Sequence, residues 1–437
     1  MDGAKHNEER MNDRMRVWYS LYDRLLHTQV LETAFKKVKS SNGAPGIDGQ
    51  SCKGFALNQP ENIAELLEAL RTKAYRPSPV KRVEIEKPDG GIRLIGIPTV
   101  RDRVVQQALK MAIEPIFEAG FHSGSYGYRP NRSAHGAIAE ATARMREEGL
   151  EHVVDMDLSK CFDLLDHDLI LKAVRRKVAD GSILALIRMF LESGVLNHGV
   201  FARTEKGSPQ GGVISPLLAN IYLDEFDQYM AERGHRIVRY ADDILILKGS
   251  PKGAQNALWV AESYLEGKLK LVVNRRKTHV TELQEGVAFL GVEIGLTCTK
   301  IQAKKIARIK AKLKAITRRN TLVYLAKVLR DLNPVLRGFV NYFKVANCKT
   351  ELKKLMSWLR RRLRAIQMKL WKTPQKLHRR LRQLGYKGEF KRIKMASWRN
   401  ASCQLAHMAM PNRWFNEIGL YPADQVETGT LSPLNRG

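Results

Sequence analysis

Two short apolar stretches that flank a pair of acidic residues dominate the middle of the chain. Residues 236–239 (RIVR) and 244–247 (ILIL) are rich in the β-branched and aliphatic residues that favour strands, and Tyr240-Ala241-Asp242-Asp243 lies between them. Because Asp is depleted in strand interiors and common in turns, the pattern predicts a β-hairpin with both carboxylates at its tip. A lone Asp-Asp doublet is more typical of a solvated turn than of a metal site.

A second apolar stretch carries acids at alternate positions. Residues 153–158 read VVDMDL, and the period of two along a strand places Asp155 and Asp157 on one face. If this strand lies beside the hairpin, one of these acids joins Asp242 and Asp243, and an unpaired buried carboxylate is otherwise costly. Three converging carboxylates are the hard oxygen ligands that a two-metal site for phosphoryl transfer needs.

Helical periodicity accounts for much of the remaining chain. Residues 166–177 and 251–268 are predicted as helices that back the sheet, and Asp163, Asp166 and Asp168 are interpreted as N-cap or first-turn residues. Apolar residues recur at helical spacing from Ile306 and again from Leu352. The pattern predicts an α+β fold: a small antiparallel sheet that carries the acids, followed by a helical second part.

Charge changes the picture of that second part. The 437 residues carry a net charge of +29, and residues 304–394 hold 29 Lys and Arg against three acids, which is +26 of that total. Several amphipathic helices with cationic outer faces favour a nucleic-acid backbone as partner over a membrane surface. Five scattered cysteines and a polar start without a signal sequence lead us to expect a soluble protein of the bacterial cytoplasm.

Beyond the two acidic segments, the order of sequence blocks resembles the group II intron-encoded reverse transcriptase and maturase family, of bacterial type and without an HNH endonuclease domain. The resemblance covers nearly the whole chain. The matching blocks, besides the Asp157 and Asp242-Asp243 segments, are KPDGGIR (87–93), GIPTVRDRVVQ (96–106), SYGYRP (125–130), GSPQGGVISPLLAN (207–220), LVVN (271–274) with Lys277-Thr278, FLG (289–291) and RGFVNYF (337–343).

The resemblance implies a right-hand polymerase with fingers, a palm, an α-helical thumb and a small C-terminal segment. Residues 1–150 would form the N-terminal extension and fingers and 151–297 the palm, so that the reverse transcriptase domain spans about 60–297. Residues 298–372 would form the thumb or maturase X domain, and 373–437 a basic segment similar to the family's DNA-binding domain.

The resemblance also implies roles for the site residues. Asp157, Asp242 and Asp243 would be the catalytic metal ligands for Mg²⁺, with Mn²⁺ as an alternative, and Tyr240 would contact substrate. Phe162, five residues after Asp157, would exclude a ribose 2′-hydroxyl by steric bulk. Ordinary core packing is the alternative role for Phe162.

Three further residues are candidates for substrate binding. Lys87 and Arg93 flank a Pro-Asp-Gly-Gly turn of a predicted hairpin, where two cations would clamp a triphosphate; a solvated turn is the alternative. Gln210 lies among glycines that let backbone approach a ligand, and its alternative role is to start the next helix. In the basic part, the run Arg360-Arg361-Arg362 is a candidate nucleic-acid contact.

We therefore expect an RNA-directed DNA polymerase that also binds intron RNA to assist splicing and mobility. Its partners would be group II intron RNA, an RNA template with a DNA primer, and deoxynucleoside triphosphates, without a membrane. The sequence leaves the oligomeric state and the source of the primer open. Two other functions remain: an RNA-binding splicing factor without catalysis, and a reverse transcriptase recruited to host defence or DNA repair.

Overall fold

The computed structural model describes residues 16–86, 90–197, 199–318 and 323–429. The chain divides into two compact units, with the boundary after Glu282. The three strands that follow residue 283 lie in the second unit. The domain assignments, including the end of the palm at residue 297, stay predictions.

The described residues of the first unit include one 3₁₀ helix and ten α-helices. A 3₁₀ helix at Tyr22–Leu25 precedes α1 (Thr28–Ser41), α2 (Cys52–Leu57), α3 (Gln59–Arg71), α4 (Val100–Glu118), α5 (Ala134–Arg146), α6 (Cys161–Leu164), α7 (His167–Arg175), α8 (Gly181–Leu191), α9 (Ser215–Glu232) and α10 (Pro251–Gly267). The prediction that Asp166 caps a helix is confirmed, since its Oδ1 accepts hydrogen bonds from the amides of Asp168 and Leu169 at the start of α7.

Two four-stranded sheets lie in the first unit. One contains β1 (Val80–Glu86), β2 (Ile92–Ile97), β4 (Val195–Asn197) and β5 (Val200–Ala202) in the order β2-β1-β4-β5, with a parallel pairing of β1 and β4. The other contains β3 (His152–Asp157), β6 (Arg236–Tyr240), β7 (Asp243–Lys248) and β8 (His279–Glu282) in the order β6-β7-β3-β8 and is antiparallel throughout. The prediction of a hairpin beside a strand that carries Asp157 is confirmed.

One fully buried ion pair joins the antiparallel sheet to α9. The Nε of Arg239 on β6 donates to Asp227 Oδ1 at 2.8 Å, and its Nη2 also contacts the same carboxylate. The third nitrogen, Nη1, donates to Asn220 Oδ1 and to the carbonyl of Ala241, both at 3.1 Å. The whole guanidinium is thus satisfied inside the protein, as a buried charge requires.

The second unit consists of a small sheet and a set of basic helices. Strands β9 (Val287–Phe289), β10 (Val292–Ile294) and β11 (Thr299–Ile301) form an antiparallel sheet, which α11 (Ala303–Ile316), α12 (Leu325–Phe343), α13 (Lys349–Trp371), α14 (Pro374–Gln383), a 3₁₀ helix (Trp398–Ser402), α15 (Gln404–Ala409) and α16 (Asn412–Glu417) follow. On α11, Ile309 and Leu313 are buried while Lys304, Arg308 and Lys312 are exposed, so the helix is amphipathic with a cationic outer row.

The prediction that Arg360 contacts nucleic acid is wrong. Its side chain is 3% exposed and makes a bidentate pair with Asp424, at 2.7 and 2.9 Å. Arg361 lies over the ring of Trp398 at 4.0 Å, and Arg362 donates to Thr317. Consecutive helical residues point about 100° apart, so a run of three arginines cannot share one outer face. Arg361 and Arg362 are half-buried, and their nucleic-acid contacts stay a prediction.

The described residues contain neither a disulfide bond nor a helix suited to cross a membrane. All five cysteines are unpaired thiols, and Cys52, Cys161 and Cys348 are buried. No helix in the described ranges is both long and apolar enough to span a bilayer.

Replacing Asp227 by Asn should lower the free energy of unfolding by about 3 to 5 kcal/mol, because Arg239 would stay buried without its counter-charge. Urea unfolding measures this change. Glu225→Gln on the same helix is the matched control: its ion pair with Arg176 is exposed, so its loss should cost at most about 1 kcal/mol. Equal losses for the two variants would contradict the central role of the buried pair.

Candidate active site

The three candidate acids meet at one end of the antiparallel sheet. Asp157 is the last residue of β3 and pairs in register with Asp243, the first residue of β7. Asp243 also pairs with Tyr240 across the hairpin, so that Ala241 and Asp242 form the turn. Residues paired directly across strands point to the same face with Cβ atoms about 5 Å apart, so Asp157 and Asp243 are neighbours.

The turn has a constrained backbone. Ala241 has a φ of 60°, a region that glycine adopts more readily than alanine. A Cβ added to Gly127 would lie 2.4 Å from the Ala241 amide nitrogen, so only glycine permits this approach. Asn220 donates to the Gly127 carbonyl at 2.8 Å. Arg239 also donates to Asn220 and to the Ala241 carbonyl. The buried ion pair therefore restrains both Gly127 and Ala241.

Three residues that are distant from Asp157 in sequence contact it: Asn274, Lys277 and Thr278. Asn274 Nδ2 donates to Asp157 Oδ2 at 2.8 Å, and Lys277 Nζ lies 3.3 Å from the same oxygen. The Asp157 amide donates to Thr278 Oγ1 at 3.3 Å. These residues belong to the blocks that resemble the family, but the resemblance assigned them no role. Their spacing in the sequence does not indicate that they contact Asp157.

The site carries excess negative charge. Desolvation raises the pKa of Asp242, with Asp157 adding to the effect while Arg93 and Lys277 oppose it. Desolvation, then the charges of Asp242 and Asp157, raise the pKa of Asp243 to about 6. Two carboxylates with raised pKa values side by side indicate that the protein alone does not neutralise this cluster.

The donor set suits a hard divalent cation, because carboxylate oxygens are the ligands that Mg²⁺ prefers and Arg93 and Lys277 compensate the charge of the cluster only in part. In the described ranges, no group of three or more His, Cys, Asp or Glu side chains already has the arrangement of a metal site. Asp157 Oδ2 instead contacts Asn274 Nδ2 and Lys277 Nζ.

The other candidates lie on segments that are tied to one another. Arg93 lies on β2, whose Gly96 amide donates to the Gln210 carbonyl at 2.8 Å. The Ser208 amide donates to the Phe162 carbonyl, also at 2.8 Å. The loop that contains Gln210 therefore joins the strand of Arg93 to the helix of Phe162. Lys87 lies outside the described residues.

One residue near the acids was missed by the sequence analysis. Tyr128 follows Gly127, has a φ of 59° and is 53% exposed. Its ring meets that of Phe162 edge to face, with centroids 6.4 Å apart. Burial raises the pKa of its phenol, with Asp242 and Tyr240 adding to the effect and Arg93 opposing it, so the ring lies among the candidate residues. No sequence pattern marks a tyrosine for this conformation.

Comparisons with known proteins identify the family of this chain. The model of the reverse transcriptase (RNA-dependent DNA polymerase) family matches residues 85–294, and that of the group II intron maturase-specific domain matches 306–385. Protein YkfC of Escherichia coli is 37% identical over 60% of this chain and 79% of its own length. The group II intron-encoded protein LtrA of Lactococcus lactis is 28% identical over 78% of this chain and 66% of its own.

Among solved structures, the telomerase of Candida albicans matches 75% of this chain and 69% of that chain, with a TM-score of 0.41 and 14% identity. The two family models follow each other in the order that the sequence blocks predicted, and each falls within one compact unit apart from the strands next to the boundary. The chain belongs to the group II intron reverse transcriptase and maturase family.

Proposed function

We propose that this chain is an active RNA-directed DNA polymerase that extends a DNA primer on an RNA template from deoxynucleoside triphosphates, and that it binds intron RNA as a maturase. The observation that carries the catalytic part is the register pairing of Asp157 with Asp243 beside Asp242, in a cluster whose carboxylates have raised pKa values. A protein with a net charge of +29 has no structural need for such a cluster at a turn tip.

In the proposed reaction the primer 3′-hydroxyl attacks the α-phosphorus of the nucleotide and a new P–O bond forms. The bond between the α- and β-phosphates breaks, pyrophosphate leaves, and the hydroxyl proton passes to solvent. Asp157, Asp242 and Asp243 would hold Mg²⁺, which when bound supplies charge compensation for the triphosphate and lowers the pKa of the attacking hydroxyl. Lys277 would leave Asp157 Oδ2 in that state, while Asn274 keeps the carboxylate oriented by its hydrogen bond.

The nucleotide is bound and selected by the neighbouring segments. Arg93 would pair with triphosphate oxygens, for which a guanidinium offers bidentate hydrogen bonds. Phe162 would lie below the sugar and exclude a 2′-hydroxyl by its volume. The loop at Gln210 would keep the two at a fixed separation through the hydrogen bonds of Gly96 and Ser208.

The second unit would bind RNA through its cationic helices. On α11, Lys304, Arg308 and Lys312 are exposed at four-residue spacing, so they form one row along the helix. Neutralising phosphates releases counterions, which gives affinity without base recognition. We place the protein in the bacterial cytoplasm, which its unpaired thiols suit.

Substituting both Asp242 and Asp243 by Ala should lower primer extension on an RNA template at least about 100-fold, because the groups that stabilise the reacting phosphoryl are removed. RNA affinity should stay unchanged. Asp168→Ala is the matched control, since this exposed acid pairs with Arg188 away from the cluster. Parent protein that binds RNA but extends no primer with Mg²⁺ or Mn²⁺ would leave only the splicing-factor function.

The Mg²⁺ concentration for half-maximal extension should rise as the pH falls through about 6. The raised pKa of Asp243, about 6, means that below this pH the carboxyl holds a proton, which competes with the cation for the same oxygens. Mg²⁺ titrations between pH 5.5 and 8 measure the effect. An identical half-saturation across this range would contradict competition between the proton and the cation at Asp243.

Changing Lys304, Arg308 and Lys312 together to Gln should reduce the steepness of the salt dependence of RNA binding. Removing three phosphate contacts lowers the slope of log affinity against log salt by about 2 to 3. Filter binding at several salt concentrations gives the slope. Lys36, Lys37 and Lys39 on α1, which are also exposed, provide a control triple substitution that should leave the slope unchanged.

A further inference from the structure

Tyr128 occupies a backbone conformation that costs energy for a bulky residue. Its φ of 59° lies in the left-handed region, where a side chain crowds the following carbonyl. Such conformations persist only where the surrounding structure enforces them, and they cluster at functional sites. An exposed aromatic residue held this way calls for a reason other than core packing.

Both neighbours of Tyr128 enforce this conformation. The Gly127 carbonyl accepts a hydrogen bond from Asn220, and Gly127 packs against the Ala241 amide. Arg129 is buried, pairs with Glu118 through Nε at 3.0 Å, and donates from Nη1 to the carbonyls of His122 and Ser125 at 2.8 Å. With the chain fixed on each side, the Tyr128 ring is held against that of Phe162.

Phe162 is only partly enclosed by the core. It lies on the four-residue helix α6 and is half-buried, so core contacts restrain only part of its ring. Its carbonyl is fixed by Ser208, but this bond does not restrain side-chain rotation. The Tyr128 ring contacts the Phe162 ring edge to face, at an interplanar angle of 82°, and so adds a restraint on the Phe162 side chain beyond those of the core.

We propose that Tyr128 is a specificity-determining residue that holds the Phe162 ring in the position that excludes ribonucleotides. This inference rests on the proposed polymerase function. Tyr128 acts here as a positioning residue through Phe162, and its hydroxyl is dispensable because the contact is made by the ring.

The test compares Tyr128→Asn with Tyr128→Phe. Asn adopts a positive φ readily, so it removes the ring without new backbone strain, and Tyr128→Gly provides a second ring-less variant if Asn folds poorly. The ratio of kcat/KM for a deoxynucleotide to that for the matching ribonucleotide should fall about three- to tenfold in the ring-less variants, because ribonucleotide use rises. Tyr128→Phe should keep the parent ratio.

A double-mutant cycle with Phe162→Ala separates positioning from a merely structural role. Phe162→Ala should lower the ratio more than loss of Tyr128 does, and adding Tyr128→Asn to it should change the ratio no further. Additive losses, or ring-less variants that lose overall rate at an unchanged ratio, would overturn the proposal.

Binding of each nucleotide to protein with RNA template and a dideoxy-terminated primer gives a readout without chemistry. The ring-less variants should bind the ribonucleotide relatively more tightly than the parent does, and an unchanged binding preference would overturn the proposal. Parent protein that shows the binding preference but extends no normal primer would count against the polymerase function rather than against Tyr128.

Discussion

The buried pair of Arg239 and Asp227 is the interaction on which the geometry of the site depends. A strand residue of this polarity would ordinarily face water, yet both side chains are fully buried and every guanidinium nitrogen has a partner. Because Asp227 lies on α9 and Arg239 on β6, the pair fixes the hairpin to the helix behind it. The bond from Arg239 to the Ala241 carbonyl then carries this constraint into the turn that bears Asp242.

The same residue also orders the segment that passes under the turn. The backbone of Arg239 donates to the Gly124 carbonyl and accepts from the Tyr126 amide, both at 2.8 Å. Asn220 connects its side chain to Gly127. The positions of Gly127 and Tyr128 are therefore set by the ion pair through two routes. Rigid support of this kind suits a site that must keep mutually repelling carboxylates close together.

The sequence predicts the elements here better than it predicts the contacts. The hairpin, the strand of Asp157 and the helix capped by Asp166 follow from local preference, because alternation and capping need only neighbouring residues. Partners distant in the chain, such as Asn274 for Asp157 or Asp227 for Arg239, leave no local pattern. Arg360 shows how a local pattern can mislead. A run of basic residues indicates a polyanionic partner, but successive helical residues point in different directions, and Arg360 is buried.

The site combines features that each oppose folding. Ala241 and Tyr128 have positive φ values, each costing about 1 to 2 kcal/mol, and the raised pKa of Asp243 reflects a carboxylate that is less stable in the native state than in water. Since this pKa is raised from 3.8 to about 6, the destabilisation is absent below pH 3.8, where the group is protonated in both states, and reaches its full size above about pH 6. Such a site persists only where other interactions offset these costs. The buried ion pair and the apolar residues that pack between α9 and the sheet provide that stabilisation. The strain at the turn and the burial of Arg239 are therefore two parts of one arrangement.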